Sequence, residues 1–201
     1  VLLLSTVEPR KNHLAAFRAW TSLIAHHGAR HVPQLVCVGA KGWKNEAALA
    51  MLEKDPVLGS RVTLLSGLTD PQVALLFERC LFTLYPSLYE GWGLPVTESL
   101  CYGKVPAVSD VASLPEAGGL LAEYFDPQAP AELLRVLESS FSTRPIARRA
   151  RGASRVSSTP ARGSSWARSW RWPSAAGRLT CRRICPMAIA LPPWRLAAIT
   201  P

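Results

Sequence analysis

Two glutamates, Glu90 and Glu98, flank a glycine-rich turn and the start of a predicted helix. Residues 81–85 are apolar and residues 95–102 carry apolar side chains at helical spacing, so the pattern predicts a strand, a loop and a helix. Glu90 is predicted on the loop and Glu98 in the first helical turn. Because carboxylates accept hydrogen bonds from hydroxyls, both can converge on one hydroxyl-rich ligand. The alternative is that Glu90 is a solvated loop residue and Glu98 complements the helix dipole.

The helix start between these carboxylates is suited to phosphate. Pro95 fits the first turn, where its missing N–H costs nothing. Unpaired backbone amides at a helix N-terminus attract anions, and the sequence predicts such amides at Leu94, Val96 and Thr97. A ligand with a diphosphate between two hydroxyl-rich rings, which describes a nucleotide sugar, would use both the amides and the carboxylates.

A basic loop follows the first predicted strand and carries Arg10 and Lys11. Open α/β sheets bind ligands at the carboxyl ends of their strands. Lys11 offers a mobile point charge and Arg10 a bidentate fork, and both suit a diphosphate. The alternative is a solvated loop, although basic residues at a helix N-terminus oppose the dipole. Gly39, at the end of the second strand, permits close approach of a ligand or of a neighbouring loop.

Strands and helices alternate along residues 1–141, which predicts an α/β fold with a doubly wound parallel sheet. The first strand, residues 1–5, is continuously apolar, as expected for a strand buried on both faces. The other predicted strands are 34–38, 61–65, 81–85, 105–109 and a last one near Tyr124 and Phe125. The predicted helices are 13–27, 45–54, 71–80, 95–102, a short one from Ser113, and 131–141.

The charge of the chain is split between two parts. Residues 1–141 hold 11 Lys+Arg and 14 Asp+Glu, whereas residues 142–201 hold 12 Arg with no Lys and no acid. The second part is therefore predicted to be an irregular basic tail, separate from a domain at 1–141. This tail has two interpretations. It is either the product of translation in a wrong reading frame or a basic arm that docks on anionic lipid headgroups. Nucleic-acid binding through the tail is a rival function, but nucleic acid is not the expected partner.

The cysteines and histidines indicate no metal site. Cys37, Cys80 and Cys101 stand in apolar contexts without paired spacing, which predicts reduced core thiols in a cytoplasmic protein. The four histidines, which cluster around the first helix, have no acidic or cysteine partner at ligand spacing. No signal peptide and no spanning helix are predicted. We expect no metal and no other cofactor.

Residues 86–98, Pro-Ser-Leu-Tyr-Glu-Gly-Trp-Gly-Leu-Pro-Val-Thr-Glu, and the later run Ser-Leu-Pro-Glu at 113–116 resemble a known family. They are similar to the donor-binding domain of retaining family 4 glycosyltransferases, which is one Rossmann-like half of the GT-B fold. The resemblance covers residues 1–141. It implies that Glu90 lies near the sugar hydroxyls and Glu98 at the ribose. The other predicted donor-binding residues are Gly91, Gly93, Leu94, Pro95, Val96, Thr97 and Gly39.

The Glu-Pro-Arg-Lys-Asn loop at 8–12 is similar to the loop that carries the diphosphate-binding residues in this family, and Lys11 matches the family lysine. Many members have an arginine where this chain has Thr6. Either Arg10 takes over the role of that arginine, or this chain binds phosphate more weakly. The resemblance implies that Glu90, Arg10 and Lys11 are catalytic. No Asp-x-Asp motif occurs, which fits neutralisation of the leaving diphosphate by Arg10, Lys11 and the helix start rather than by a metal.

The resemblance implies transfer of a hexose from a nucleoside diphosphate sugar to a hydroxyl with retention, in polysaccharide or glycoconjugate assembly. The loops are most similar to those of mannosyltransferases, and the expected donor is either GDP-mannose or UDP-glucose. A GT-B enzyme also needs an N-terminal acceptor domain, which this chain is expected to lack. We therefore expect an inactive donor-binding fragment of an enzyme, with a non-catalytic nucleotide-sugar binding module as the alternative. The expected location is the cytoplasm, peripheral at the inner membrane face.

Overall fold

A computed structural model of the chain describes residues 1–142, which form six strands and seven α-helices. The predicted basic tail lies outside the described residues. The strands are β1 Leu2–Leu4, β2 Leu35–Val38, β3 Val62–Leu65, β4 Thr83–Tyr85, β5 Pro106–Ser109 and β6 Glu123–Phe125. The helices are α1 His13–His27, α2 Glu46–Lys54, α3 Pro56–Gly59, α4 Asp70–Arg79, α5 Leu94–Cys101, α6 Leu114–Gly118 and α7 Pro130–Ser142.

The six strands form one parallel sheet in the order β3-β2-β1-β4-β5-β6. The predicted doubly wound parallel sheet is confirmed. The chain builds outward from β1 through β2 to β3, and then returns to the other side of β1 with β4. The loops that follow β1 and β4 consequently flank the crevice at this reversal, which is where sheets of this type bind ligands.

Alternate residues of β1, which lies between β2 and β4, pack on opposite faces of the sheet. A parallel strand that is covered on both sides requires this arrangement. Leu3 packs with Phe17 and Trp20 of α1, and Leu2 packs with Phe77 of α4. All five of these side chains are essentially inaccessible to water. The Trp20 Nε1 atom donates to the Pro33 carbonyl oxygen at 2.9 Å, so the largest core side chain also pairs its polar atom.

The local sequence signals explain the helix ends. Helix α1 has the predicted bounds, and Gly28 ends it with a φ of 80°, a conformation that glycine adopts without strain. Helix α3 was not predicted, since four residues are too few to produce an apolar period. Its signal was Asp55 before a proline: the Asp55 carboxylate accepts from the amides of Val57 and Leu58 at 3.0 Å each.

The predicted core thiols are confirmed in part. Cys37 is buried, whereas Cys80 and Cys101 are half-buried, and all three are thiols rather than disulfides. Burial raises the pKa of the Cys37 thiol to about 12, which makes it unreactive at neutral pH. None of the helices at 1–142 is both long and apolar enough to cross a lipid bilayer.

A buried polar cluster fastens α5 to β4. The Ser99 hydroxyl accepts from Thr83 Oγ1 at 2.8 Å, lies 3.0 Å from the Tyr85 hydroxyl, and donates to the Pro95 carbonyl at 2.7 Å. The Tyr85 hydroxyl also donates to that carbonyl at 3.0 Å. Burial raises the pKa of Tyr85, so its hydroxyl keeps the proton that it donates. This cluster therefore sets the position of the N-terminal end of α5.

The substitution Ser99→Ala is expected to lower the free energy of unfolding by about 1–3 kcal/mol, because the buried Thr83 hydroxyl loses its partner. Thr83→Val should cost less in the Ser99→Ala background than in the wild type, since it removes that stranded hydroxyl. Urea unfolding of the full chain measures both effects. The control Ser22→Ala, on the surface side of α1, should change stability by less than about 0.5 kcal/mol. Additive costs for Ser99→Ala and Thr83→Val would show that the two hydroxyls are not coupled.

His13 makes stability depend on pH. Its side chain is 2% exposed, and neither ring nitrogen has a hydrogen-bond partner within residues 1–142. Burial, with a smaller contribution from Lys11, lowers the pKa of His13 to about 4. As the pH falls below about 6.5, His13 therefore binds a proton in the unfolded chain but stays neutral in the folded chain. The contribution of His13 to stability is therefore expected to be fully present above about pH 6.5 and to be lost as the pH falls towards 4, by up to about 3 kcal/mol.

We expect His13→Leu to remove this part of the pH dependence, as measured by urea midpoints at pH 7 and pH 5. His26→Leu is the matched control, because His26 is exposed on the same helix. If His13→Leu loses as much stability between the two pH values as the wild type does, the assignment to His13 is wrong.

Candidate functional site

The loops that follow β1 and β4 meet at the reversal of the sheet. Arg10 and Lys11 lie on a 3-10 turn, Pro9–Lys11, which ends where Asn12 adopts a φ of 56° and α1 begins. The Leu88 amide, on the loop after β4, donates to the Arg10 carbonyl at 2.8 Å. The two loops are thus joined through their backbones, which fixes the distance between the side chains they carry.

Glu90 is the centre of a network of ion pairs across these loops. Its Oε1 atom accepts from Lys11 Nζ at 2.5 Å and from the Ser87 hydroxyl at 2.8 Å. Its Oε2 atom accepts from Arg10 Nη1 at 3.1 Å. Arg10 also donates through Nη2 to Glu8 at 2.8 Å. The structure therefore brings together Glu90, Arg10 and Lys11, which the sequence predicted to be catalytic.

The members of this network differ in exposure. The side chains of Lys11 and Glu90 are 16% and 13% exposed, whereas that of Arg10 is 42% exposed. The Lys11–Glu90 pair is consequently shielded from water and salt, while Arg10 keeps one side open to solvent. Two cations and two carboxylates meet here, so their formal charges cancel.

A third loop supports Glu90. The Ser113 hydroxyl, on the loop after β5, donates to the Glu90 carbonyl oxygen at 3.1 Å. Ser87 is 2% exposed, and its hydroxyl donates to the Glu90 carboxylate from the buried side. Ser87, Ser113 and Glu8 were not predicted to belong to the site. Each lies within or beside a predicted motif, but the contacts of its side chain depend on the order of the strands in the sheet.

The helix start differs in two respects from the prediction. Because α5 begins at Leu94, its first turn holds no acid and Glu98 lies in the second turn, not the first. The Val96 amide donates to the Gly93 carbonyl at 2.9 Å, so it is not one of the free amides. Pro95 does lie within the first turn. Glu98 is exposed on α5, and its charge raises the pKa of Tyr85 as a minor contribution beside burial.

The two glycines of the turn have different surroundings. Gly93 has a φ of 95°, which favours glycine, and a Cβ atom there would lie 2.7 Å from Leu114 Cδ2, so α6 packs closely against this position. No atom lies within 4 Å of a Cβ at Gly91. The turn is therefore packed on the Gly93 side and open on the Gly91 side, next to Glu90.

Gly39 lies against a loop of the protein. A Cβ atom there would be 2.2 Å from the Ser5 carbonyl oxygen, so the loop after β1 occupies the space beside it. Of the two roles left open by the sequence, close approach of a neighbouring loop is the one observed. A contact of Gly39 with the donor stays a prediction. Within residues 1–142, no three His, Cys, Asp or Glu side chains are grouped to hold a metal ion.

The chain is similar to mannosyltransferases of Escherichia coli. It is 31% identical over 141 residues to "O-antigen chain mannosyltransferase B", covering 68% of this chain and 36% of that protein. It is 30% identical over 142 residues to "Serotype-specific mannosyltransferase WbdA", covering 71% of this chain and 17% of that protein. The chain therefore spans about a third or less of the length of these relatives.

The fold is that of solved glycosyltransferases with the GT-B architecture, as predicted. Superposition on WaaG, "a glycosyltransferase involved in lipopolysaccharide biosynthesis", gives a TM-score of 0.58 at 25% identity, over 71% of this chain and 38% of that one. The sequence pattern of the family described as "Glycosyl transferases group 1" matches residues 1–151, which is most of the chain. The chain belongs to this family of glycosyltransferases.

Proposed function

We propose that this chain is the donor-binding half of a retaining glycosyltransferase, which moves a hexose from a nucleoside diphosphate sugar to a hydroxyl acceptor. The observation that carries the proposal is the convergence of Arg10, Lys11 and Glu90 at the reversal of the sheet. These are the side chains that a diphosphate and an adjoining sugar would need, and they lie where ligands of such sheets bind.

In the proposed reaction, negative charge develops on the diphosphate as the bond to the sugar breaks. Lys11 and Arg10 neutralise this charge, and the N-terminal end of α5 adds a partial positive charge. Arg10 is exposed enough to reach a ligand, and Lys11 lies beside it on the same turn. Glu90 accepts hydrogen bonds from the sugar, and Glu98 accepts them from the ribose. No metal has a role in this proposal.

Mannose is the proposed sugar, because the similar proteins named above are mannosyltransferases. GDP-mannose is accordingly the first donor to test, and UDP-glucose the second. We propose assembly of a polysaccharide or glycoconjugate as the process. The cytoplasmic location at a membrane surface stays a prediction.

Glu98→Ala is expected to weaken nucleotide-sugar binding by about 1.5–3 kcal/mol, the range for hydrogen bonds to a charged group. The reason is that an exposed carboxylate on α5 loses its contact with the ribose. Calorimetric titration of the full chain with GDP-mannose and UDP-glucose measures the change. Glu78→Ala is the control, since Glu78 is an exposed carboxylate at the end of α4. An unchanged affinity in a folded Glu98→Ala variant would contradict the ribose contact.

Lys11→Met is expected to weaken binding of the nucleoside diphosphate and of its sugar by equal factors, since both ligands present the same diphosphate to the lysine. The loss should again be about 1.5–3 kcal/mol. Lys54→Met, an exposed change at the end of α2, controls for net charge. A variant that loses affinity for only one of the two ligands would show that Lys11 does not bind the diphosphate.

A further inference from the structure

The cations predicted to hold the diphosphate are already engaged within the protein. Lys11 Nζ and Arg10 Nη1 both donate to the Glu90 carboxylate, at 2.5 Å and 3.1 Å. A diphosphate needs those same N–H donors. It therefore has to compete with Glu90 before it can pair with either side chain.

The competition is strong because the pair is sheltered. Lys11 and Glu90 are each less than a fifth exposed, so salt screens their attraction less than it screens a surface pair. The formal charges of Lys11, Arg10, Glu8 and Glu90 cancel, which leaves no net positive charge to attract an anion. A nucleoside diphosphate that displaces Glu90 also leaves this carboxylate without its two cations, which is costly in a sheltered site.

A complete donor can supply new hydrogen bonds to the Glu90 carboxylate in place of its two cations. The sugar carries hydroxyl groups that can donate to a carboxylate, whereas the nucleoside diphosphate product has none at that place. Glu90 can change partners without moving its backbone, because Ser113 holds its carbonyl oxygen while the side of the turn at Gly91 is open.

We infer that Glu90 is an internal counter-ion that selects the sugar-bearing donor over the nucleoside diphosphate product. With a donor, its carboxylate leaves Lys11 and Arg10 for the sugar hydroxyls, and the freed cations bind the diphosphate. After the sugar has been transferred, Glu90 returns to the cations and lowers the affinity for the product. This inference rests on the proposed function and adds a means of product release to it.

The test is the substitution Glu90→Gln, which keeps the shape of the side chain and removes its charge. The full chain, as wild type and variant, is titrated by calorimetry with GDP and GDP-mannose, and with UDP and UDP-glucose. For the nucleoside diphosphate, we expect the variant to bind about 5- to 30-fold more tightly, the factor that corresponds to losing one good competing ion pair. The preference for donor over product should fall by about tenfold or more.

Two further variants exclude simpler explanations. Glu90→Asp keeps the charge but holds it one methylene further from Lys11 and Arg10, so its gain in affinity for the nucleoside diphosphate should be smaller than that of Glu90→Gln. Glu78→Gln removes the same charge as Glu90→Gln, but at the end of α4. The backbone carbonyls of Glu78 and Cys80 accept from Lys104, and the substitution leaves these bonds in place. It should leave the affinities for the nucleoside diphosphate and for the donor unchanged. Thermal unfolding checks that each variant is folded.

The outcomes are distinct. The inference is supported if Glu90→Gln binds the nucleoside diphosphate more tightly than the wild type, Glu90→Asp shows a smaller gain, and Glu78→Gln shows none. If wild type binds both ligands and Glu90→Gln binds the nucleoside diphosphate equally or more weakly, the inference is wrong while the proposed function stands. If the wild type binds neither member of either pair, the proposed function is wrong and the inference falls with it.

Discussion

The contact of Glu90 with Lys11 and Arg10 joins two loops that lie about 80 positions apart in the sequence, and the arrangement of the site depends on it. It forms because β1 and β4 are neighbours at the centre of the sheet. The loop after β4 carries no Lys or Arg, so Glu90 finds its cationic partners only on the loop after β1. The order of the strands is therefore what turns a basic turn and an acidic turn into one site.

The surrounding structure holds this contact in a fixed place. The Leu88 amide ties the two loops together, and Ser87 and Ser113 hold Glu90 by its side chain and its backbone. On the neighbouring element, the hydroxyl cluster around Ser99 fixes α5 against β4. A ligand that enters the crevice thus meets a backbone that is already organised, and only side chains need to change partners.

The sequence predicted the sheet and α1 because their signals are local: an apolar first strand, a periodic apolar helix face, and Gly28 as a stop. It also predicted that Arg10, Lys11 and Glu90 belong to one site. It did not predict that they pair with one another, since pairing across distant loops depends on strand order and loop shape. The predictions for Glu98 and Val96 were wrong for a physical reason. Gly93 takes a left-handed conformation, so α5 begins at Leu94 and the register of its first turn shifts.

A crystal structure of the full chain with GDP-mannose bound tests the role of Glu90 most directly. We expect the diphosphate to lie within hydrogen-bonding distance of Arg10 and Lys11, and the Glu90 carboxylate to have moved from Lys11 to a sugar hydroxyl. A diphosphate bound away from these two cations, or a donor bound while Glu90 still pairs with Lys11, would contradict this expectation.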